Sequence, residues 1–241
     1  RHPRLLQGPT VIAAPLEVTN SGVRLAADTR GEGPNLVCTT GWANDRSVWD
    51  ALATDLAADH RVTTWDLRGH GASDTPPPDC YGRSDALDDL AAVLDAAGRP
   101  AVLIGHSLGG YLSLAYALGR PDEVAGLVLV ATGPGFRKDE SRREWNDSVR
   151  AAVTDLDLPE GAEGLSLHVD SLVIDRLAEI TAPTLVVLGE RDRRFAASVA
   201  VFERHLDVRA TVIVPEAGHM VHAKASGEVA AAVRAFVADL D

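Results

Sequence analysis

The residues with the clearest capacity for chemistry are a serine between two glycines, in the pattern Gly105-x-Ser107-x-Gly109. A short apolar run before it predicts a strand buried on both faces, and helical spacing follows it. A serine at so sharp a junction takes a strained backbone conformation, and the flanking glycines allow other backbone to approach closely. This pattern is called the nucleophile elbow. It would lift the Ser107 hydroxyl clear of the sheet and leave the amide of Leu108 at a helix N-terminus, ready to stabilise an oxyanion.

Such a pattern also arises by chance in glycine-rich turns, so the elements around it decide its meaning. Beyond a predicted lead-in at 1–10, the chain shows a hairpin at 16–26, strands at 35–40, 61–65, 101–105, 124–130, 184–188 and 211–214, and helices near 48–56, 84–97, 108–118, up to 205 and up to 240. Alternation of this kind predicts a mostly parallel sheet flanked by helices. The composition, 46% hydrophobic over 241 residues, suits one α/β domain spanning 1–241.

The alternation stops between about residues 136 and 182, where charged and weakly amphipathic segments replace it. We interpret this stretch as a short helical cap inserted over the strand ends. Its larger apolar residues do not belong to a predicted strand, so they could shape a substrate pocket. They are Phe136, Trp145, Leu165 and Leu172. The alternative is that they only attach the insertion to the domain.

Composition excludes several classes of function. The net charge is −12 with no Lys/Arg run, which argues against nucleic-acid and membrane-surface partners and leaves a small molecule as the expected partner. Nothing in the pattern indicates an oligomeric state. Cys38 and Cys80 lie far apart, so a disulfide is not expected. No apolar stretch is long enough to span a bilayer, and the Arg1-His-Pro-Arg start lacks a signal-peptide core, although the chain does not begin with Met. The expected location is cytoplasmic.

Four stretches together resemble the α/β-hydrolase superfamily, in particular its serine-nucleophile esterase-like and lactonase-like members. They are Thr40-Gly41-Trp42, the loop Asp66-Leu-Arg-Gly-His-Gly-Ala-Ser-Asp74, the serine elbow, and Gly189-x-x-Asp192 with Gly218-His219. The resemblance covers nearly the whole chain. It implies an α/β-hydrolase fold and activity without a metal or cofactor.

The family's order of nucleophile, acid and base matches Ser107, Asp192 and His219. Serine is a poor nucleophile at neutral pH, so it needs a base, and the base needs a carboxylate that fixes its tautomer. Asp192 and His219 each follow a predicted strand, which would bring them to the same sheet edge as Ser107.

Other candidates compete for these roles. Glu190 lies two residues from Asp192 and is its close competitor, whereas Asp207 is expected to be a surface charge. His70 lies in a loop whose glycines look structural. His222 forms a spacing with His219 that resembles a metal pair, but no third ligand is nearby, so no metal site is predicted.

The resemblance also implies an oxyanion hole made by the backbone N–H groups of Trp42 and Leu108. Relatives usually carry His-Gly in the first of these loops, where this chain has Thr40-Gly41. The side chain of Trp42 could form part of the pocket wall, or it could pack only in the hydrophobic core. The candidate substrate-binding residues are Trp42, His106, Phe136 and Trp145.

The function that these residues favour is a cofactor-free serine hydrolase that cleaves a small carboxylic ester, lactone or thioester through an acyl-enzyme on Ser107. A first alternative keeps the same three residues for carbon–carbon bond hydrolysis, lyase chemistry or cofactor-free haloperoxidation, because the chemistry depends on the cap and the pocket. A second alternative is a non-enzymatic ligand receptor on the same fold.

Overall fold

The computed structural model describes residues 12–240, which contain one sheet of eight strands. The strands are β1 (Ala14–Asn20), β2 (Val23–Arg30), β3 (Asn35–Thr39), β4 (Arg61–Trp65), β5 (Ala101–His106), β6 (Val124–Val130), β7 (Thr184–Gly189) and β8 (Val208–Val214). They lie in the order β1-β2-β4-β3-β5-β6-β7-β8. β1 and β2, and β2 and β4, pair antiparallel, and the other pairs are parallel. This confirms the mostly parallel sheet. The lead-in predicted at residues 1–10 lies outside the described residues.

Helices cover both faces of this sheet. They are α1 (Asp50–Leu56), α2 (Arg83–Ala97), α3 (Leu108–Gly119), α4 (Asp139–Val153), α5 (Leu172–Arg176), α6 (Ala196–His205), α7 (Val221–Lys224) and α8 (Ser226–Ala238). Neighbouring residues of a strand point to opposite faces. Thus Leu103 of β5 joins the core under α2 and α3, whereas Val102 and Ile104 join the core under α1 and α8. The strand that leads to Ser107 is buried along its whole length.

The C-terminal helix departs from its prediction, because it is divided in two. Ala225 takes the angles φ −130° and ψ 45°, which end α7 and let the chain restart as α8. Ser226 and Gly227 follow at this point, and both favour the helical state less than alanine does. The break ends a short helix just after His219 and His222.

The segment between β6 and β7 is helical, with α4, α5 and 3-10 turns at Ala162–Ser166 and Leu177–Glu179. Buried apolar side chains, Leu165 and Val173 among them, attach it to the core under α3. A bidentate ion pair between Arg83 of α2 and Asp170, at 2.7 Å for both contacts, adds a polar attachment. Leu172 is 39% exposed, so it does not shape a buried pocket as its apolar character suggested.

Candidate active site

Ser107 lies between β5 and α3 with φ 51° and ψ −114°, in the left-handed half of conformational space that a non-glycine residue rarely adopts. The Ser107 amide donates to the carbonyl oxygen of Val130 (3.0 Å), and the Ser107 carbonyl oxygen accepts a hydrogen bond from Thr132 Oγ1 (2.6 Å). Glycine is required at position 109, because a Cβ there would clash with the carbonyl of Thr39. The strained turn is therefore held by hydrogen bonds and close backbone packing.

Asp192 and His219 are joined by a hydrogen bond, with 2.7 Å between His219 Nδ1 and Asp192 Oδ2. The aspartate follows β7 and its side chain is 4% exposed, whereas the histidine follows β8 and its side chain is 40% exposed. The second carboxylate oxygen accepts the amide of Arg194 (3.2 Å). Because Nδ1–H donates to the carboxylate, Nε2 is left with a lone pair that can accept a proton.

Phe195 links this pair to a cavity that also reaches Ser107. Its ring stacks on that of His219, with centroids 5.4 Å apart and an angle of 18° between planes, and it lines the cavity. Ser107 lines the same cavity. Among residues 12–240, no hydrogen bond holds the Ser107 hydroxyl, so it is available to an entering molecule.

Two backbone amides lie near this hydroxyl. The loop after β3 packs on the elbow: a Cβ added to Gly41 would come within 3.2 Å of Ser107 Cβ. The next amide in that loop belongs to Trp42, and the first amide of α3 belongs to Leu108. Within the described part of the chain, neither amide donates to a protein acceptor. Two unpaired N–H groups beside a nucleophile suit the stabilisation of an oxyanion.

Two buried histidines, His106 and His222, pack beside the candidate base. The ring centroid of His106 lies 4.6 Å from that of His219 and 4.3 Å from that of His222, and the His222 ring packs on Trp49 at 4.2 Å. Burial lowers the pKa of His106 well below its ordinary value and lowers the pKa of His222 to about 3. Both rings are therefore neutral at neutral pH.

The cavity has a volume of about 430 Å³, which is in the range of small-molecule sites. Its wall combines aromatic and aliphatic side chains with a comparable number of polar ones. The first group is Leu108, Tyr111, Phe136, Trp145, Leu165, Leu167 and Phe195, and the polar groups include Ser141, Glu144, Ser166, His168, Arg194 and Ser198. Such a wall suits an organic acyl group of modest size.

The structure places two of the four expected substrate-binding residues in this wall, Phe136 and Trp145. Trp42 and His106 are not in the wall, so the expectation that they bind substrate was wrong. The indole of Trp42 donates to the carbonyl of Ala162 (3.2 Å), which turns it toward the cap, and His106 is fully buried behind the elbow.

Sequence reasoning missed His168 and Arg194, which also line the cavity. The Arg194 guanidinium lies 5.5 Å from the centre of the Trp145 ring. No periodicity marks either position, because His168 lies in the irregular part of the cap and Arg194 in a turn.

The competing residues have other partners. Glu190 is exposed, and its carboxylate accepts the amide of Glu216 (3.0 Å), whereas Asp207 pairs with Arg209 (2.9 Å). His70 is buried, with Nδ1 2.9 Å from the carbonyl oxygen of Arg68. Its loop is a structural tie, because the Arg68 guanidinium also forms a buried bidentate pair with Asp89, at 2.6 Å for both contacts.

The family model described as the alpha/beta hydrolase fold matches residues 34–158, and the chain belongs to this family. The fold class expected from the sequence is thereby confirmed. Among residues 12–240, no helix has the length and apolar character needed to cross a bilayer.

Similar proteins narrow the class further. The structure of a thermophilic esterase from Thermogutta terrifontis, with malate bound, matches with a TM-score of 0.77 and 25% identity over 95% of this chain and 99% of that chain. A pimeloyl-[acyl-carrier protein] methyl ester esterase of Nitrosomonas europaea is 40% identical over 49% of this chain and 44% of that protein. The chain thus matches less than half the length of that esterase.

A third relative is matched over more of its length. It is a Bacillus subtilis protein with the provisional name 2-succinyl-6-hydroxy-2,4-cyclohexadiene-1-carboxylate synthase, 28% identical over 84% of this chain and 90% of that protein. The family and the esterase relatives support an ester-cleaving hydrolase.

Proposed function

We propose that this protein is a serine hydrolase that cleaves a small carboxylic ester, lactone or thioester through an acyl-enzyme on Ser107. The observation that carries the proposal is the 2.7 Å hydrogen bond between His219 and Asp192 beside a cavity that contains a strained, unpaired serine. A carboxylate–imidazole pair of this kind is what a serine hydroxyl needs for activation.

In the proposed reaction, His219 Nε2 accepts the hydroxyl proton as Ser107 Oγ attacks the carbonyl carbon. The amides of Trp42 and Leu108 stabilise the oxyanion that forms, and they are supported in this role by having no protein acceptor among the described residues. His219 then returns the proton to the leaving oxygen or sulfur, which departs and leaves the acyl-enzyme. Asp192 stabilises the imidazolium in each step.

Water completes the proposed cycle. His219 takes a proton from the water molecule as its oxygen attacks the acyl carbon, and then gives that proton to Ser107 Oγ as the acid leaves. The cavity of about 430 Å³ favours a small acyl group over a long lipid chain. No metal or cofactor is needed for these steps.

A fluorophosphonate probe tests the proposal. It should label the intact protein at Ser107, and Ser107→Ala should abolish both labelling and turnover of p-nitrophenyl butyrate. Ser198→Ala is the matched control, because Ser198 lines the same cavity but does not lie at a strand-to-helix elbow. This variant should retain both probe labelling and ester turnover. Ester turnover that survives Ser107→Ala would contradict the proposal.

A second candidate is a lyase that uses the same side chains. It is favoured by the match to the Bacillus subtilis synthase, which covers most of both chains, whereas the esterase match covers about half of this one. In a lyase, His219 and Asp192 would serve to abstract a proton rather than to form an acyl-enzyme. A panel of activated esters, lactones and thioesters separates the two, since a lyase would hydrolyse none of them faster than buffer does.

A further inference from the structure

His168 is a half-buried titratable side chain of the cavity to which the proposed mechanism gives no role. Its backbone is fixed to α4 by the side chain of Asn146, which donates from Nδ2 to the His168 carbonyl and accepts the His168 amide, both at 2.9 Å. Three ring contacts fix the imidazole: Tyr111 (centroids 4.5 Å apart), Phe136 (5.1 Å) and Trp145 (5.8 Å). The position and orientation of this ring are therefore set by the protein before any ligand arrives.

The charge state of the ring is also set. Burial, with a further contribution from the positive charge of Arg83, lowers the pKa of His168 to about 4, and Asp170 opposes this shift only in part. Asp170 is itself engaged by Arg83 through two contacts of 2.7 Å, and Arg83 also donates to the Tyr111 hydroxyl (3.0 Å). At neutral pH the imidazole is uncharged, so one ring nitrogen donates and the other accepts.

Neither ring nitrogen of His168 has a hydrogen-bond partner among the described residues. Nδ1 is fully buried near Gly135, where an added Cβ would come within 3.2 Å of it. Because His168 lines the cavity, Nε2 is the nitrogen that can reach it. An unpaired polar group in an aromatic wall costs free energy unless a ligand supplies the missing hydrogen bond.

The ring lines the same cavity as the nucleophile. Tyr111, whose ring it contacts, is four residues beyond Ser107 on α3, a rise of about 6 Å. An acyl group bound covalently to Ser107 and lying along this wall would pass the imidazole. A carboxylate at this point would meet a neutral ring, whereas a hydroxyl or a keto oxygen would meet a suitable hydrogen-bond partner.

We infer that His168 is a specificity-determining residue that hydrogen-bonds an uncharged polar substituent, a hydroxyl or a keto oxygen, on the acyl group of the substrate. This inference rests on the proposed function, because Ser107 is what positions the acyl group. The substrate class becomes short hydroxyacyl or oxoacyl esters, lactones and thioesters.

Matched p-nitrophenyl esters test it through the ratio of kcat/KM for a substituted ester to that for its plain counterpart. The pairs are 3-hydroxybutyrate with butyrate and 4-oxopentanoate with pentanoate. Wild-type protein should favour at least one substituted ester about fivefold to tenfold, the effect of one neutral hydrogen bond. His168→Phe should reduce that ratio to about one, because it removes the hydrogen bond that only the substituted ester makes.

Two further variants separate recognition from structure. His168→Gln keeps a neutral donor and acceptor and should preserve part of the preference. Val169→Ala, at a neighbouring side chain that is 72% exposed, should preserve all of it. A wild-type ratio near one for both pairs, or a ratio that His168→Phe leaves unchanged, overturns the inference. Circular dichroism shows whether each variant is folded.

Failure of the proposed function gives a different result. If wild-type protein hydrolyses no ester, the acyl-enzyme is wrong, and the inference is then tested by titration calorimetry with 3-hydroxybutyramide and butyramide. Tighter binding of the hydroxyamide that His168→Phe abolishes supports a polar recognition site at His168. Equal binding of the two amides to wild-type protein overturns it.

Discussion

His106 Nε2 donates a hydrogen bond to the backbone carbonyl oxygen of His219, at 3.1 Å. The other nitrogen of the same ring faces the loop after β3, because a Cβ added to Gly41 would come within 2.8 Å of His106 Nδ1. The residue beside Ser107 in the chain therefore contacts both the loop of the candidate base and the loop of the candidate oxyanion hole. Its fully buried ring makes it a positioning residue rather than a substrate contact.

Loss of this donor should lower turnover without weakening substrate binding. In His106→Phe an aromatic ring remains but the hydrogen bond to His219 is lost, so we expect kcat to fall about tenfold or more while KM changes little, since a small displacement of a catalytic group has a large effect on rate. His106→Gln retains a donor and should recover part of the loss. Steady-state kinetics on p-nitrophenyl butyrate measure kcat and KM separately. A kcat for His106→Phe within twofold of wild type would contradict the positioning role.

Asp192→Asn should keep the fold and lower kcat by about 10⁴, because an amide facing Nδ1 favours the wrong imidazole tautomer. Glu190→Gln is the matched control two residues away. Its exposed side chain accepts the Glu216 amide, a contact that glutamine can keep, so we expect turnover within about threefold of wild type. Single-turnover kinetics with an activated ester compare the two variants. A nearly inactive Glu190→Gln beside an active Asp192→Asn would transfer the acid role to Glu190.

Trp145→Ala should shift the preferred acyl length upward. The indole forms part of the cavity wall, contacts Phe136 at 5.6 Å between centroids, and donates to the carbonyl of Ser166 (2.9 Å). Its removal enlarges the space for the acyl chain, and each methylene that gains a contact is worth about tenfold or more in selectivity. We expect the optimum of a p-nitrophenyl ester series to move by about two carbons.

The control for this change is Arg143→Ala on α4, where the side chain is exposed. It should leave the chain-length profile and the melting temperature unchanged. If Trp145→Ala instead lowers the melting temperature strongly and leaves the profile as it was, the aromatic residues of the cap serve only to attach it.

Acid should destabilise the fold well above the pH at which carboxylates titrate. Burial lowers the pKa values of four histidines; they are His70, His106, His168 (to about 4) and His222 (to about 3). Between about pH 6.5 and pH 4 the unfolded chain binds protons at these positions and the folded chain does not. The free energy of unfolding should therefore be fully retained above about pH 6.5 and fall as the pH drops toward 4.

Urea unfolding at pH 7, 6, 5 and 4.5 measures this dependence. His222→Phe should make it shallower, because it removes a group that binds a proton in the unfolded chain but stays neutral in the folded one. Lys224→Gln changes an exposed residue nearby and should leave the dependence as in wild type. Equal pH dependence in wild type and His222→Phe would show that this histidine does not contribute.

The sheet could be predicted because its central strands are buried and carry apolar runs such as Val124–Val130. The elbow could be predicted because few residue types tolerate its geometry. Boundaries were less accurate where the pattern is mixed: β8 begins at Val208 rather than Thr211, since its half-exposed residues carry no continuous apolar signal.

The candidate site could be predicted only as far as local pattern reaches. The pairing of Asp192 with His219 followed from their places after two strands, but the direction of a side chain did not, as Trp42 shows by turning to Ala162. His168 could not be found, because its role depends on contacts with residues far away in the sequence. Tertiary packing, which leaves no periodic trace, places it in the cavity.

The cap is inserted where two strands are already neighbours. β6 and β7 pair directly, with Val130 opposite Val187, and the amide of Ala131 donates to the Val187 carbonyl (2.9 Å). Because the two strands are parallel, the segment leaves the sheet at the C-terminal end of β6 and returns at the N-terminal end of β7. The pairing of the strands fixes where both ends lie, whatever lies between them. Because the entropy of closing a loop rises only slowly with its length, a longer or shorter cap would add little strain to the sheet. The length of residues 136–182, which supply part of the cavity wall, can therefore change at little cost to the sheet.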